Sequence, residues 1–120
     1  MRTASFFSYT GTGRISIARY PPRGTPAGFR IYKPLAPGHW FNKVTEVEYR
    51  KLYSAQLASL EPLIVVEELQ EMAEGVEPVL LCYERMADVN AGRTFCHRHM
   101  VAEWLKDRLD LDVQEIGAPT

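Results

Sequence analysis

A thiol, an imidazole and a guanidinium stand consecutively at Cys96, His97 and Arg98, and a carboxylate follows an apolar run at Glu84. Nucleophilic and acid–base catalysis use groups of these kinds. A cysteine at a helix N-terminus beside cations has a lowered pKa, which favours the reactive thiolate. We therefore take Glu84 and His97 as candidate acid–base groups and Cys96 as a candidate nucleophile. The alternative is that Cys96 only packs beneath a loop.

Three arginines are candidate ligands for an anion. Arg98 suits bidentate recognition of phosphate or carboxylate, and Arg19 and Arg23 lie in a proline-rich stretch. If the strands before Arg19 and Glu84 are adjacent and parallel, these arginines meet Arg98 in one crevice. Such a cluster at a helix start predicts a pocket for a small phosphorylated, nucleotide-like ligand. The alternative is that Glu84 and Arg98 form a closed ion pair that faces no ligand.

The same region has the atom types of a metal site. Cys82, Cys96, His97 and His99 offer sulfur and imidazole ligands that suit zinc. Residues 97 and 99 point to different sides of a helix, however, and the chain has no C-x-x-C pair. The spacing therefore predicts no metal, and the sequence indicates no particular cofactor.

The two cysteines are too few for a disulfide framework in a chain of 120 residues. We therefore expect reduced thiols, with Cys82 buried in an apolar strand. A reversible redox pair is the alternative, if the end of that strand and the helix start near Cys96 lie side by side.

Charge is unevenly distributed along the chain. The net charge is only −1, yet all 15 acidic residues lie from Glu46 onward, and residues 1–43 carry arginine and lysine alone. A basic segment favours an anionic partner. Besides the small ligand, this leaves a nucleic-acid-binding accessory protein that uses segment 14–33 as its footprint. A third class is a non-catalytic interaction module with an acidic helical face. The alternative to any anionic partner is that the basic residues pair with the acidic helices of the second half of the chain.

Length and composition indicate one globular domain over residues 1–120. Apolar residues make up 46% and charged residues 24% of the chain, as in ordinary soluble proteins. No apolar run approaches the roughly 20 residues that a membrane span needs. The first residues lack the apolar core and cleavage site of a signal peptide, so we expect a cytoplasmic protein with no membrane partner.

Alternating strand and helix patterns must position these residues. Thr45 and Glu48 fit a capping box at a helix start, and Pro62 suits the first turn of a second helix. The last strand, helix and strand form a βαβ unit, whose strands are parallel. We predict an α/β fold, a single three-layer domain with a small, mostly parallel sheet flanked by helices. The predicted strands cover residues 3–9, 14–18, 79–83 and 111–116, and the last helix covers 96–109.

Two motifs resemble the domain of unknown function 488 family. An apolar strand ends in Cys82-Tyr83-Glu84, and Cys96-His97-Arg98 leads into a helix with a small-acidic-aromatic-Leu run. The loop over residues 85–95 is longer than is usual between these motifs. The resemblance implies an α/β fold and a shared pocket, and it supplies no reaction. Three N-terminal segments match one branch of the family in order: Ile15-Ser16-Ile17-Ala18-Arg19, Pro21-Pro22-Arg23-Gly24 and Leu35-Ala36-Pro37.

Overall fold

Five short strands form one parallel sheet in the computed structural model, which describes residues 1–22, 28–84 and 95–116. The strands are β1 (Arg2–Ser5), β2 (Arg14–Ser16), β3 (Arg30–Ile31), β4 (Val79–Cys82) and β5 (Gln114–Glu115). Their order across the sheet is β3-β2-β4-β1-β5, and every pairing is parallel. The predicted α/β fold with a small parallel sheet is confirmed.

The described residues include three α-helices, which are α1 (Glu46–Ala58), α2 (Pro62–Met72) and α3 (His97–Leu109). The predicted N-cap of α1 is confirmed, because the Thr45 side chain accepts a hydrogen bond from the Glu48 backbone N–H at 3.2 Å. Pro62 begins α2, where its missing N–H costs nothing. In the part of the chain that the structure describes, no helix is long and apolar enough to cross a membrane. The cytoplasmic location stays a prediction.

The helices pack against one face of the sheet. Leu80 and Cys82 face them and share a core with Tyr53 of α1, Leu69 of α2 and Leu105 of α3. All of β4 is buried, which accounts for its continuous apolar run. The opposite face of the sheet carries a second, smaller cluster of buried residues: Ala4, Phe6, Ala18, Val79 and Leu81.

The pairing of β2 with β4 decides where the functional side chains lie. Ile15 is opposite Leu80, and Ser16 is opposite Leu81, in parallel register. The chain therefore leaves both strands at the same edge of the sheet, with Arg19 after β2 and Glu84 after β4. The adjacency that the sequence argument required is present.

Candidate functional site

A pocket of about 350 Å³ opens at this edge of the sheet. Arg19 and Tyr20 line it from the end of β2, Glu84 from the end of β4, and Phe95 and His97 from the start of α3. Three of the candidate site residues thus share one cavity. The other described residues that line it are Ala18, Pro37, Phe41, Val44, Thr45, Glu46, Tyr49 and Tyr83.

The remaining candidates lie elsewhere. Cys96 and Arg98 are buried and are not among the described residues that line the pocket. Arg23 lies outside the described residues. Among the described residues that line the pocket, Arg19 is therefore the single arginine. The sequence argument had predicted that Arg19, Arg23 and Arg98 would meet there.

Glu84 has an unsatisfied acceptor. Its Oε2 atom is buried and has no hydrogen-bond partner among the residues that the structure describes. Burial raises the pKa of Glu84, and the bond from its own backbone N–H and the charges of Arg98 and His99 offset this only in part. A buried carboxylate oxygen without a donor is costly, so this atom is suited to accept a hydrogen bond from a bound molecule.

Aromatic rings make up much of the pocket wall. The rings of Tyr20 and Phe41 meet edge to face with centroids 5.8 Å apart, and those of Tyr49 and Phe95 do so at 4.9 Å. The Tyr83 hydroxyl donates a hydrogen bond to the backbone oxygen of Tyr20, which ties the ends of the two strands together. A wall of this kind favours a flat, partly apolar ligand.

His97 is held in one tautomer by the end of β2. Its Nε2–H donates to the backbone oxygen of Ile17 at 2.7 Å. Burial lowers the pKa of His97 to about 4, although the bond to Ile17 opposes the shift. The ring is therefore neutral near pH 7, with Nδ1 as its lone-pair atom. This environment fits a positioned acceptor better than a proton donor.

Arg98 forms an ion pair with Glu115. The ion pair with Glu84 that the sequence left as an alternative is not the one that the structure shows. The Nε and Nη2 atoms of Arg98 contact the two Glu115 carboxylate oxygens at 2.8 and 3.0 Å. Its Nη1 lies 3.1 Å from Cys82 Sγ and 2.9 Å from Cys96 Sγ. The guanidinium is fully buried, so it orders the floor beneath the strand end and is not presented to a ligand.

The sequence argument missed Glu115. Parallel pairing with β1 sets it opposite Thr3, whose hydroxyl donates to Oε1 at 2.7 Å. Burial alone would raise its pKa, but hydrogen bonds from His99, Arg98 and Thr3 outweigh burial and hold the pKa at about 2. The available signal was the alternation of side chains along the strand predicted over residues 111–116. Leu111 and Val113 pack against the core, and Glu115 is the next residue in the same alternation.

The Glu115 network predicts a pH-dependent cost for Thr3→Val. The pKa of Glu115 lies below its unfolded value, so its stabilising effect is full above about pH 4.5 and is lost as the pH falls toward 2. Removing the Thr3 hydroxyl should raise this pKa and lower stability by about 1.5–3 kcal/mol at pH 6, the range for a hydrogen bond to a charged group. Urea unfolding of both proteins at several pH values between 6 and 2.5 measures this.

The difference between wild type and Thr3→Val should shrink as the pH falls from 5 toward 2.5, because the raised pKa of Glu115 in the variant lets its carboxylate take up a proton at a pH where that of wild type is still ionised. A difference that is constant over this range would mean that Thr3 acts through packing alone, and the Glu115 assignment would be wrong.

Cys82 and Cys96 are joined by a disulfide bond. The expectation of reduced thiols is therefore wrong for this structure, and the paired arrangement that the sequence left as an alternative is present. The bond occupies the Cys96 sulfur, so a nucleophilic Cys96 requires the reduced protein. Cys82, Cys96 and His97 each bring one ligand-type atom into a buried cluster, within 4.8 Å of one another.

Comparison with known proteins identifies the family. The model of DUF488-N3a, described as the active DUF488-N3 subclade, matches residues 7–109. The chain belongs to this family, and the resemblance inferred from its motifs is confirmed at that level. The match includes Arg19, Glu84 and the segment over residues 96–98. No curated protein and no solved structure matches the chain.

Proposed function

We propose that this member of the DUF488-N3a family binds a nucleotide-like ligand in the pocket between the ends of β2 and β4, with Glu84 as its acid–base group. The observation that carries the proposal is the unpaired, buried Oε2 of Glu84 in an aromatic-walled pocket. The description of the family as an active subclade favours a catalytic role over a purely structural one.

The size and walls of the pocket support a ligand no larger than a mononucleotide. Its volume of about 350 Å³ lies near the lower end of the range for small-molecule sites. A nucleobase offers a flat face to the rings of Tyr20, Phe41 and Phe95. It also offers N–H groups, and a ribose offers hydroxyls, which the free oxygen of Glu84 can accept.

Two features support an anionic group on the ligand. Arg19 is exposed at the pocket, and its Nη1 donates a long hydrogen bond of 3.4 Å to the backbone oxygen of Pro37. Helix α3 begins beside the pocket with Cys96 as N-cap, and the Cys96 side chain makes no capping hydrogen bond in the described structure. Backbone N–H groups at a helix start together with an arginine favour a phosphate.

Glu84 is the better acid–base candidate on geometry. Its Oε2 has no hydrogen-bond partner among the described residues, whereas the Nε2–H of His97 is committed to Ile17. A group that transfers a proton must come within hydrogen-bond reach of the ligand. Glu84 meets this requirement for a ligand in the pocket, whereas Cys96 is not among the described lining residues and its sulfur is held in the disulfide.

The distribution of the basic segment disfavours nucleic acid. Arg14 and Arg30 begin β2 and β3, at the edge of the sheet opposite to the pocket, where Arg30 pairs with Glu74 at 2.9 Å. Arg19 follows the other end of β2. Cations at two opposite edges do not form one continuous footprint for a phosphate backbone. Nucleic-acid binding and a role as an interaction module are therefore the alternatives that the following experiment distinguishes.

Titration calorimetry with AMP, GMP, CMP, UMP and the matching nucleosides tests the proposal. We expect one mononucleotide to bind more tightly than its nucleoside. Arg19→Ala should weaken that mononucleotide on the order of 10- to 100-fold, as for a lost hydrogen bond to a charged group, and should barely change the nucleoside. Glu84→Gln should weaken both ligands, because it turns part of an acceptor-only group into a donor.

Arg30→Ala is the matched control, since it removes the same charge from the same segment at the far edge of the sheet. It should leave mononucleotide binding unchanged. If Arg19→Ala and Arg30→Ala both lower the salt slope of duplex affinity by about one unit, the nucleic-acid footprint is correct instead. If wild type binds neither mononucleotides nor duplex, the interaction module becomes the better account.

A further inference from the structure

We propose that Cys82, Cys96 and His97 form a binding site for one zinc-like divalent metal ion when the disulfide is reduced. The three residues end β4 and begin α3, and their ligand-type atoms lie within 4.8 Å of one another. Two thiolates and an imidazole are a ligand set that zinc accepts. The site lies beneath the pocket and is independent of the nucleotide proposal.

The histidine is already oriented as a metal ligand. Metal-binding histidines generally donate the ring N–H that is not ligating to a carbonyl or a carboxylate, which fixes their tautomer. The Nε2–H of His97 donates to the backbone oxygen of Ile17 at 2.7 Å. Nδ1 therefore carries the lone pair that can bind the ion.

A buried guanidinium lies beside both sulfur atoms. Arg98 Nη1 lies within hydrogen-bond reach of both sulfurs, at 3.1 and 2.9 Å, and Glu115 holds the rest of the guanidinium. Such donors stabilise thiolates and orient metal ligands. Two thiolates, the Arg98–Glu115 ion pair and one divalent ion together carry no net charge. That balance suits a cluster of buried residues.

The backbone spacing also fits a metal bridge. The Cα atoms of Cys82 and Cys96 are 7.3 Å apart, beyond the roughly 4.4–6.8 Å that is usual for disulfide-bonded cysteines. Two sulfurs on a tetrahedral zinc ion stand about 3.8 Å apart, given bonds of about 2.3 Å. A metal bridge therefore accommodates a wider backbone separation than a disulfide does.

Formation of the site requires a two-electron reduction. A dithiol reductant gives two electrons and two protons to the disulfide, which yields two thiols and an oxidised dithiol. Binding of the metal ion then releases the two thiol protons, because the ligands are thiolates. The three protein ligands leave a fourth position, and His97 borders the pocket from which a water molecule can fill it.

The full chain is reduced, freed of reductant without oxygen and loaded with zinc, and the zinc content is measured after gel filtration. We expect about one ion per reduced chain and none on the oxidised chain. Cobalt should give the visible absorption of a tetrahedral site together with thiolate charge-transfer bands. Zinc should also slow alkylation of both thiols of the wild type by at least tenfold, a readout that needs no variant.

Variants locate the site. Cys82→Ala/Cys96→Ala should bind no zinc, and His97→Gln should bind it at least tenfold more weakly. His39→Gln, which changes an exposed histidine elsewhere in the chain, should bind it like wild type. Less than a tenth of an ion on the reduced wild type, unchanged alkylation rates, or full zinc binding by the double cysteine variant would each overturn the proposal.

Discussion

Replacing Arg98 by methionine is expected to lower the free energy of unfolding by about 3–5 kcal/mol, the range for breaking a buried ion pair from one side. Arg98 is fully buried and holds both carboxylate oxygens of Glu115. Methionine fills much of the same volume but leaves Glu115 with only Thr3 and His99 as donors. Urea unfolding at pH 7 measures the change.

An exposed ion pair supplies the matched control. Arg50 and Glu46 are four residues apart on α1, with Nε and Oε2 separated by 3.1 Å and both side chains about half exposed. Arg50→Met should cost no more than about 1.5 kcal/mol, because water and salt screen the ion pair, and the contact of the guanidinium with the Phe95 ring, 4.8 Å from its centroid, is a weak one at an exposed site. If Arg98→Met costs as little as Arg50→Met, Arg98 does not make the buried pair described above.

A second substitution separates charge from packing. In Arg98→Met/Glu115→Gln the carboxylate becomes a neutral amide whose oxygen can still accept from the Thr3 hydroxyl. The double variant should be more stable than Arg98→Met alone, since no uncompensated charge stays buried. If the double variant instead loses as much free energy of unfolding as the two single variants do in sum, the cost of Arg98→Met comes from packing around Arg98.

Local signals in the sequence were sufficient for much of the fold. The Thr45 cap, Pro62 at a helix start and the apolar run of β4 each follow from the chemistry of a few neighbouring residues. The shared edge for Arg19 and Glu84 followed from one further assumption, that β2 and β4 are adjacent. The sequence argument predicted three layers, with helices flanking the sheet, whereas the described helices α1, α2 and α3 share one core cluster. A helical pattern indicates which side of a helix is apolar, but it does not indicate which face of the sheet that side packs against.

The partner of Arg98 could not be predicted from the neighbouring residues in the sequence. A cation at a helix start reads as a ligand for an anion, and a carboxylate at the preceding strand end reads as its partner. The partner is Glu115, which reaches Arg98 only because β5 pairs with β1. This long-range pairing also explains why the pocket contains fewer cations than the motif implied.

The pairing of the two cysteines also depended on contacts between residues that are distant in the sequence. Counting cysteines excludes a disulfide framework, but it does not exclude a single bond between a strand end and the next helix start. Cys82 and Cys96 are 14 residues apart and are joined by one such bond. The proximity follows from the βαβ geometry, whereas the oxidation state follows from the redox conditions.

Gly13→Ala is expected to destabilise the protein by about 3 kcal/mol or more. Gly13 precedes β2 with φ +78, a backbone conformation that costs other residues about 1–2 kcal/mol. A Cβ there would also overlap the backbone oxygen of Glu77. Backbone cannot step aside as a side chain can, so residues 77–79 must shift, which adds a typical overpacking cost of about 1–3 kcal/mol.

Gly75→Ala isolates the conformational part of this cost. Gly75 also has positive φ, at +90, but among the described residues beyond its chain neighbours no atom lies within 4 Å of the position that a Cβ would take. Its substitution should cost only about 1–2 kcal/mol. Urea unfolding of the two variants under one set of conditions compares them directly. Equal losses would mean that the contact between Gly13 and Glu77 is not tight.

The Gly13 contact also bears on the pocket. The Gly13 backbone oxygen accepts a hydrogen bond from the Val79 N–H at 2.8 Å, which fixes β2 against β4 at the edge opposite to the pocket. A shift at this point is carried along two short strands to Arg19 and Glu84. Gly13→Ala should therefore weaken mononucleotide binding while the chain is still folded, and Gly75→Ala should not. Unchanged affinity in folded Gly13→Ala would mean that the pocket residues are positioned by α1 and α3 and not by the register of the two strands.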